Sequence, residues 1–419
     1  MSANSNENAR NLALDVLIRI EKDDSYSNLA IDGALKEAPS LSNADKAFFT
    51  ALVYGTVERK ITLDYNLELY LKEPLKKLNP VVLCALRLGA YQILFMEKIP
   101  DTAAINETVN LVKRRAGYAS GLTNAVLRKV SANGLRLPDA DDESYLSVKY
   151  SFPEWLVKMW INAYGEDDAV GIMEHSLGPQ KTYIRMNTLE IDLNENGLSL
   201  SPCAEYSFSG ALEDSADYNA GMFHVQDKSS QMCCEALGVR PGETVFDMCA
   251  APGGKSFTIA EMMGNKGVIK AFDLHEHRVE LIKEGAARLG IDIIEARVSD
   301  AEKYDESLGL ADRILCDVPC SGLGIVGRKP EIRYKTATNI DYLPSLQYNI
   351  LVNSSKYLRA GGTLVYSTCA LNPKENEEVV SRFLDEHRDF ELKTIKTVLP
   401  HVYDCDGFFY AVLKKGDRN

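Results

Sequence analysis

Thr244-Val245-Phe246-Asp247-Met248-Cys249-Ala250-Ala251-Pro252-Gly253-Gly254-Lys255 decides the fold of this 419-residue chain. A strand is expected over Thr244–Met248, a tight turn of small residues and glycines after it, and a helix over Lys255–Met263. Glycines at such a turn let backbone N–H groups approach a ligand at the positive end of a helix. The spacing is neither G-x-G-x-x-G nor a Walker lysine loop. A nucleotide-like ligand is therefore expected at Cys249, Ala250, Ala251, Pro252, Gly253, Gly254 and Lys255.

Downstream the strand–helix alternation continues, which predicts an α/β domain with a parallel sheet and helices on both faces. Further strands are expected at Gly267–Phe272, Ile293–Val298, Arg313–Cys316 and Thr363–Tyr366. Helices are expected at His275–Leu289, Tyr342–Arg359 and Pro373–His387. The run Gly407–Leu413 reads as part of an antiparallel edge hairpin. Asp273, Asp300 and Asp317 follow three successive strands, so all three belong at one sheet edge, where open α/β sheets bind ligands. Asp273 suits ribose hydroxyls and Asp300 an adenine amino group.

Upstream, residues 1–137 read as helical. Asn79 before Pro80 is a good helix start, with a capping side chain and a proline whose missing N–H costs nothing there. Val82, Ala85, Leu86, Gly89, Ile93 and Met96 follow at helical spacing. Asp101 opens another helix that ends on Lys113-Arg114-Arg115, which suits the helix dipole. Residues 138–222 begin with a polar linker and read as a small α+β subdomain. It contains an amphipathic helix carrying Trp155 and Trp160, both read as core, and a strand within Lys181–Leu189. Residues 223–419 form the α/β domain.

The chain carries a net charge of −13 and is 45% hydrophobic. That balance argues against indiscriminate polyanion binding, which relies on bulk positive field. Residues 1–137 hold 18 Lys+Arg against 15 Asp+Glu, leaving 29 against 45 for the remainder. A nucleic acid would find the front part electrostatically less hostile. No run approaches the ~18 apolar residues of a membrane span, and no secretory leader is read at Met1–Glu7. Nine cysteines without a scaffold rhythm read as reduced thiols of a cytoplasmic protein. Neither His275-Glu276-His277 nor Cys316-x-x-x-Cys320 makes a zinc pattern, so no metal is expected, and the chain reads as a monomer.

Two of the cysteines stand apart. Cys320 lies in Asp317-Val318-Pro319-Cys320-Ser321-Gly322 and Cys369 in Tyr366-Ser367-Thr368-Cys369-Ala370-Leu371, each just after an expected strand. Two thiols behind a cofactor turn point to addition of a thiolate to a pyrimidine, followed by methyl transfer to carbon. Such covalent catalysis divides one hard step into easier ones, and it needs a polarised, partly exposed cysteine. Chemistry alone leaves open which thiol attacks. Cys84, Cys203, Cys233, Cys234, Cys316 and Cys405 read as packing residues.

Asp247 through Lys255, with Asp317-Val318-Pro319-Cys320 and Ser367-Thr368-Cys369, resembles the RNA cytosine-5 methyltransferases. Arg185–Thr188 and His224–Gln231 are similar to further segments of that family. The order of helices in 1–137 resembles the RNA-binding domain of the NusB family. Together they resemble the ribosomal RNA small subunit methyltransferase B family. The resemblance implies a class I, Rossmann-like methyltransferase domain behind an all-α NusB-like domain. It implies S-adenosylmethionine as cofactor and small-subunit (16S) ribosomal RNA as partner. It assigns attack on carbon 6 of cytosine to Cys369 and resolution of the adduct to Cys320. Asp317 would hydrogen-bond the cytosine amino edge or act as an acid at N3, and Lys255 would help position the base. The target base must leave any stack to reach both groups. The same chemistry on transfer RNA or large-subunit RNA, and a non-catalytic assembly factor, are the rival readings.

Overall fold

The computed structural model describes residues 3–23, 27–195, 198–199, 201–207, 212–336, 338 and 340–417. They fall into two compact units. One is Met1–Gly178 with Val326–Lys335, the other Pro179–Ile325 with Thr336–Asn419.

The first unit is helical: α1 (Ala3–Asp23), α2 (Ser27–Glu37), α3 (Asn43–Glu58), α4 (Lys60–Glu68), α5 (Pro80–Phe95), α6 (Asp101–Arg115), α7 (Ser120–Asn133), α8 (Tyr145–Tyr150), α9 (Glu154–Tyr164) and α10 (Glu166–His175). The expected start of α5 is present, with the Asn79 side chain accepting the Val81 N–H at 2.9 Å. The helix runs through the middle of the core and buries Val82, Ala85, Leu86 and Leu88. Gly89 is required there, since a Cβ would sit 2.7 Å from Leu127 and 2.9 Å from Thr108. The basic end of α6 is partly a packing device, because Arg115 pairs with Asp15 and donates to Asn11 on α1. Trp160 is fully buried against Phe152, whereas Trp155 is only half-buried.

Helices α8–α10 group with the helices before them rather than with the strands after them. Thr62 donates to Val148 O at 2.5 Å and Ser151 Oγ accepts from Ile61 N at 3.0 Å, tying this stretch to α4. The ten residues Val326–Lys335, a few positions beyond Cys320, also belong to this unit. The last carbonyls of α3 lack intrahelical donors, and this strap supplies them. Arg333, fully buried, donates to Glu58 O at 3.2 Å, and Tyr334 Oη donates to Val57 O at 2.7 Å.

The second unit begins with β1 (Tyr183–Met186), the short ribbon β2 (Asn194–Glu195) and β3 (Leu198–Ser199), β4 (Cys203–Glu205), α11 (Ala216–Asn219) and β5 (Phe223–Val225). A small antiparallel sheet has the order β4-β1-β5. There follow α12 (Lys228–Leu237), β6 (Thr244–Asp247), α13 (Gly254–Met262), β7 (Val268–Asp273), α14 (Glu276–Arg288), β8 (Ile294–Val298), β9 (Ala311–Asp317), α15 (Leu343–Ser355), β10 (Leu358–Thr368), α16 (Glu377–Glu386), β11 (Phe390–Val398), α17 (Pro400–Tyr403) and β12 (Phe408–Lys415).

The large sheet has the order β11-β12-β10-β9-β6-β7-β8. Strands β6 to β10 are parallel, and β12 inserts antiparallel between β10 and β11. The run expected in an edge hairpin does pair with β11, but β12 itself is interior and β11 forms the edge. Alternate residues serve opposite faces, as the pleat requires. Val245, Leu315 and Val365 meet α12, α13 and α14 on one side; Phe246, Ile314 and Tyr366 meet α15 and α16 on the other. The strand order reverses between β6 and β9, and the carboxyl ends of those strands carry the candidate site.

Candidate active site

The turn after β6 is held by its neighbours. Met248 N donates to Leu315 O at 3.0 Å, Ala250 N to Phe272 O at 2.7 Å and Gly253 N to Ala250 O at 2.8 Å. Gly253 adopts φ +110°, and a Cβ there would lie 2.4 Å from the Phe257 ring. Only glycine satisfies both demands. Arg278 on α14 donates to Ala251 O at 3.0 Å and pairs with Asp273 at 3.4 Å, fixing the turn to the end of β7.

A cavity of about 190 Å³ opens beside this turn. Of the residues expected to hold a cofactor, Cys249, Ala250, Ala251, Pro252, Gly254, Lys255 and Asp317 line it. Gly253, Asp273 and Asp300 do not. Gly253 shapes the turn from behind. Asp273 ends β7 as expected, buried, with the His275 N–H at 3.1 Å. Asp300 lies beyond β8, accepts from Glu302 N at 3.1 Å and pairs with Lys303 at 2.9 Å. The Lys303 bond, then the Glu302 N–H, hold its carboxyl below the usual range.

The walls also include Val225, Gln226, Asp227 and Ser230, none of them expected as site residues, and Asp247, which opens the segment resembling a cofactor loop but was given no role of its own. Asp227 lies in a segment read only as family-like, and its carboxylate accepts the Ser229 N–H at 2.9 Å as the N-cap of α12. Nothing local marked it as facing the turn. Asp247 ends β6, almost wholly buried, and accepts from Ser256 Oγ at 2.7 Å. Burial, reinforced by the charge of Asp317, pushes its carboxyl up to about 7 against the Ser256 bond and the Lys255 ammonium.

Lys255 and Asp317 join the turn to the cysteines. Lys255 Nζ lies 2.6 Å from Asp317 Oδ2 and 5.2 Å from the centre of the Phe408 ring. Burial pulls the ammonium pKa down, but Asp317 outweighs it and the net shift is upward. The other oxygen, Asp317 Oδ1, accepts from Ser367 Oγ at 2.9 Å, across the β9–β10 register that sets Asp317 opposite Ser367.

The two cysteines come together at the ends of β9 and β10. Their Sγ atoms lie 3.1 Å apart, and both residues are partly exposed. The bond to Cys369, then burial, the charge of Cys369 and the charges of Glu375 and Asp317 raise the Cys320 thiol well above its ordinary value. Gly324 N donates to Cys369 O at 2.9 Å, and Gly407 N to Gly324 O at 2.8 Å, so the two loops share a backbone seam. The cysteines read as packing residues behave so, apart from Cys203: Cys84, Cys233, Cys234, Cys316 and Cys405 are buried, whereas Cys203 is half-exposed.

Asp227 and Asp247, beside the Lys255–Asp317 pair, face a small-residue turn, and carboxylates there suit a ligand that carries positive charge. S-adenosylmethionine, with a sulfonium and an amine, fits that donor set. Among the described residues no helix is long and apolar enough to cross a membrane.

The chain is similar to known proteins along nearly its whole length. Residues 234–414 match the family described as 16S rRNA methyltransferase RsmB/F, and residues 7–132 match the NusB family. A Bacillus subtilis protein named probable ribosomal RNA small subunit methyltransferase B is 40% identical over 442 residues, covering 97% of this chain and 98% of that one. Ribosomal RNA small subunit methyltransferase B of Proteus mirabilis is 32% identical over 397 residues, covering 90% and 92%. The crystal structure of PH0851 is similar with a TM-score of 0.80 at 26% identity, covering 97% of this chain and 99% of that one.

Proposed function

Because this chain belongs to the 16S rRNA methyltransferase RsmB/F family, we propose that it methylates carbon 5 of a cytosine in 16S ribosomal RNA through a covalent Cys369–C6 adduct. The 3.1 Å approach of Cys320 and Cys369 carries this reading. Two thiols at that distance have little structural purpose when neither is fully buried.

Cys249, Ala250, Ala251, Gly254, Asp227 and Asp247 would hold S-adenosylmethionine, with Asp273 reaching its ribose. Bound there, it supplies an electrophilic methyl group. The chain's own residues do the rest. Cys369, as thiolate, adds to carbon 6 and drives the ring's electron pair towards carbon 5. The Lys255–Asp317 ion pair supports Asp317 as a carboxylate that accepts from the cytosine amino group, rather than as an acid at N3. Once carbon 5 is substituted, its proton passes to solvent, the C6–S bond breaks and the pair of electrons returns to Cys369. Cys320 keeps its proton and donates it as a hydrogen bond to the departing sulfur, which makes that sulfur a better leaving group.

Labelled-methyl transfer to 16S RNA, 23S RNA and transfer RNA tests the reading. Incorporation into 16S RNA as 5-methylcytosine is expected. Incorporation into another RNA alone would move the substrate, and none in any RNA despite cofactor binding would sink the enzyme reading.

A further inference from the structure

Glu375 lies between the two cysteine loops, fully buried. Its Oε2 accepts from Ser321 N, the residue after Cys320, at 2.8 Å and from Gln347 Nε2 at 2.9 Å. Its Oε1 accepts from Asn372 Nδ2, three residues after Cys369, at 2.8 Å. Gln347 Nε2 also donates to Pro319 O at 2.9 Å, so the same amide holds the Cys320 loop from its other side. All of these donors are neutral. None of them carries a positive charge that would screen the carboxylate from neighbouring ionisable groups.

Glu375 is bonded directly to the backbone beside Cys320, and its charge bears on the Cys320 thiol. The carboxylate of Asp317, three residues before Cys320, adds to it. Tyr366, whose hydroxyl donates to Glu375 O at 2.6 Å, brings no positive charge. Two facing sulfurs share at most one negative charge without strong repulsion. A fixed anion beside one of them sends the charge to the other.

We propose that Glu375 is a positioning residue that decides which of the two facing thiols ionises, keeping the proton on Cys320 and the negative charge on Cys369. This rests on the reading of Cys369 as the nucleophile, and it gives a physical origin for roles that the two sequence contexts do not distinguish.

Limited alkylation with iodoacetamide, resolved by peptide mass spectrometry on the full chain, tests it without turnover. In the wild type Cys369 should be modified well ahead of Cys320; equal labelling, or Cys320 first, overturns the proposal. Glu375→Gln should move the Cys369:Cys320 ratio towards Cys320 by about tenfold, the effect of one pKa unit. Gln347→Leu, which loosens the loop but leaves the charge, should keep the wild-type ratio. A folded Glu375→Gln protein with the wild-type ratio, or an equal shift in Gln347→Leu, would mean that Glu375 acts only as a brace. If Glu375→Gln does not fold, the wild-type ratio decides. Adduct formation by Cys369→Ala would instead defeat the assignment of the nucleophile, which the alkylation ratio does not measure.

Discussion

The loop after β9 and the loop after β10 carry the same functional group and differ in what surrounds it. Cys320 is flanked by Asp317 three residues before it and by the Ser321 N–H held on Glu375. Cys369 follows Thr368, whose hydroxyl donates to Asn376 Oδ1 at 2.6 Å, and its own carbonyl is occupied by Gly324 N. The charges of Glu375 and Asp317 bear on the Cys320 thiol, and the same two carboxylates also bond residues of the second loop, Asn372 and Ser367. On the proposed reading the two identical thiols take different roles, Cys320 as proton holder and Cys369 as nucleophile.

That contrast can be broken most directly at the sulfurs. Cys369→Ala should abolish both methyl incorporation and the covalent RNA complex, read by labelled methyl transfer and denaturing gel. Cys320→Ala should lose turnover yet retain RNA as a denaturant-resistant adduct. A trapped complex from Cys369→Ala, with none from Cys320→Ala, would reverse the two loops.

Lys255→Met comes next. It leaves Asp317 without its cation, and a fall of about 10²–10³-fold in kcat/KM is expected, the usual cost of losing a preorganised polar contact. An unchanged rate would detach the Cys320 loop from the cofactor turn. Gly253→Ala sharpens the picture by disturbing the turn alone. Its strained φ and the clash with Phe257 should cost roughly 1–3 kcal/mol of stability in chemical denaturation, with weaker cofactor binding by calorimetry and the alkylation ratio unaltered.

A further test concerns the burial of Asp247 on the other side of the turn. The folded carboxyl of Asp247 sits at about 7, above its ordinary 3.8. The folded state therefore holds that proton more tightly than the unfolded chain does. The contribution is fully present below the ordinary value and is lost as pH rises through about 7. Wild type minus Asp247→Asn stability, from denaturation midpoints, should fall between about pH 4 and about pH 7 and then level off. A flat difference would show that burial does not raise the Asp247 carboxyl in the folded state.

Much of the fold was legible because it is written locally. The alternation of β6 to β10 with their helices, the Asn79–Pro80 helix start and the small-residue turn each depend on neighbours within a few positions. The observed bounds of β6, β7 and β8 lie within a residue or so of those expected. Asp273, Asp317, Cys320 and Cys369 were found at strand ends for the same reason. Other features had no local mark. Asp247 opened the segment that resembles a cofactor loop, but nothing local gave it a role of its own. Glu375 stands among Glu377 and Glu378, where acidic residues before a helix usually face solvent. Val326–Lys335 read as part of the α/β domain, yet Arg333 and Tyr334 complete the end of α3, more than 270 residues earlier in the chain.

By itself the sequence determined the element order, the methyltransferase-type turn and the presence of two thiols suited to pyrimidine chemistry. Periodicity, capping and turn chemistry act over a few residues and can be read in one dimension. Only the tertiary structure decided that the sulfurs lie 3.1 Å apart, that Lys255 reaches Asp317 and that a buried Glu375 braces one loop against the other. Coulomb fields and burial depend on distance in space, and no spacing along the chain encodes which carboxylates stand beside two identical thiols.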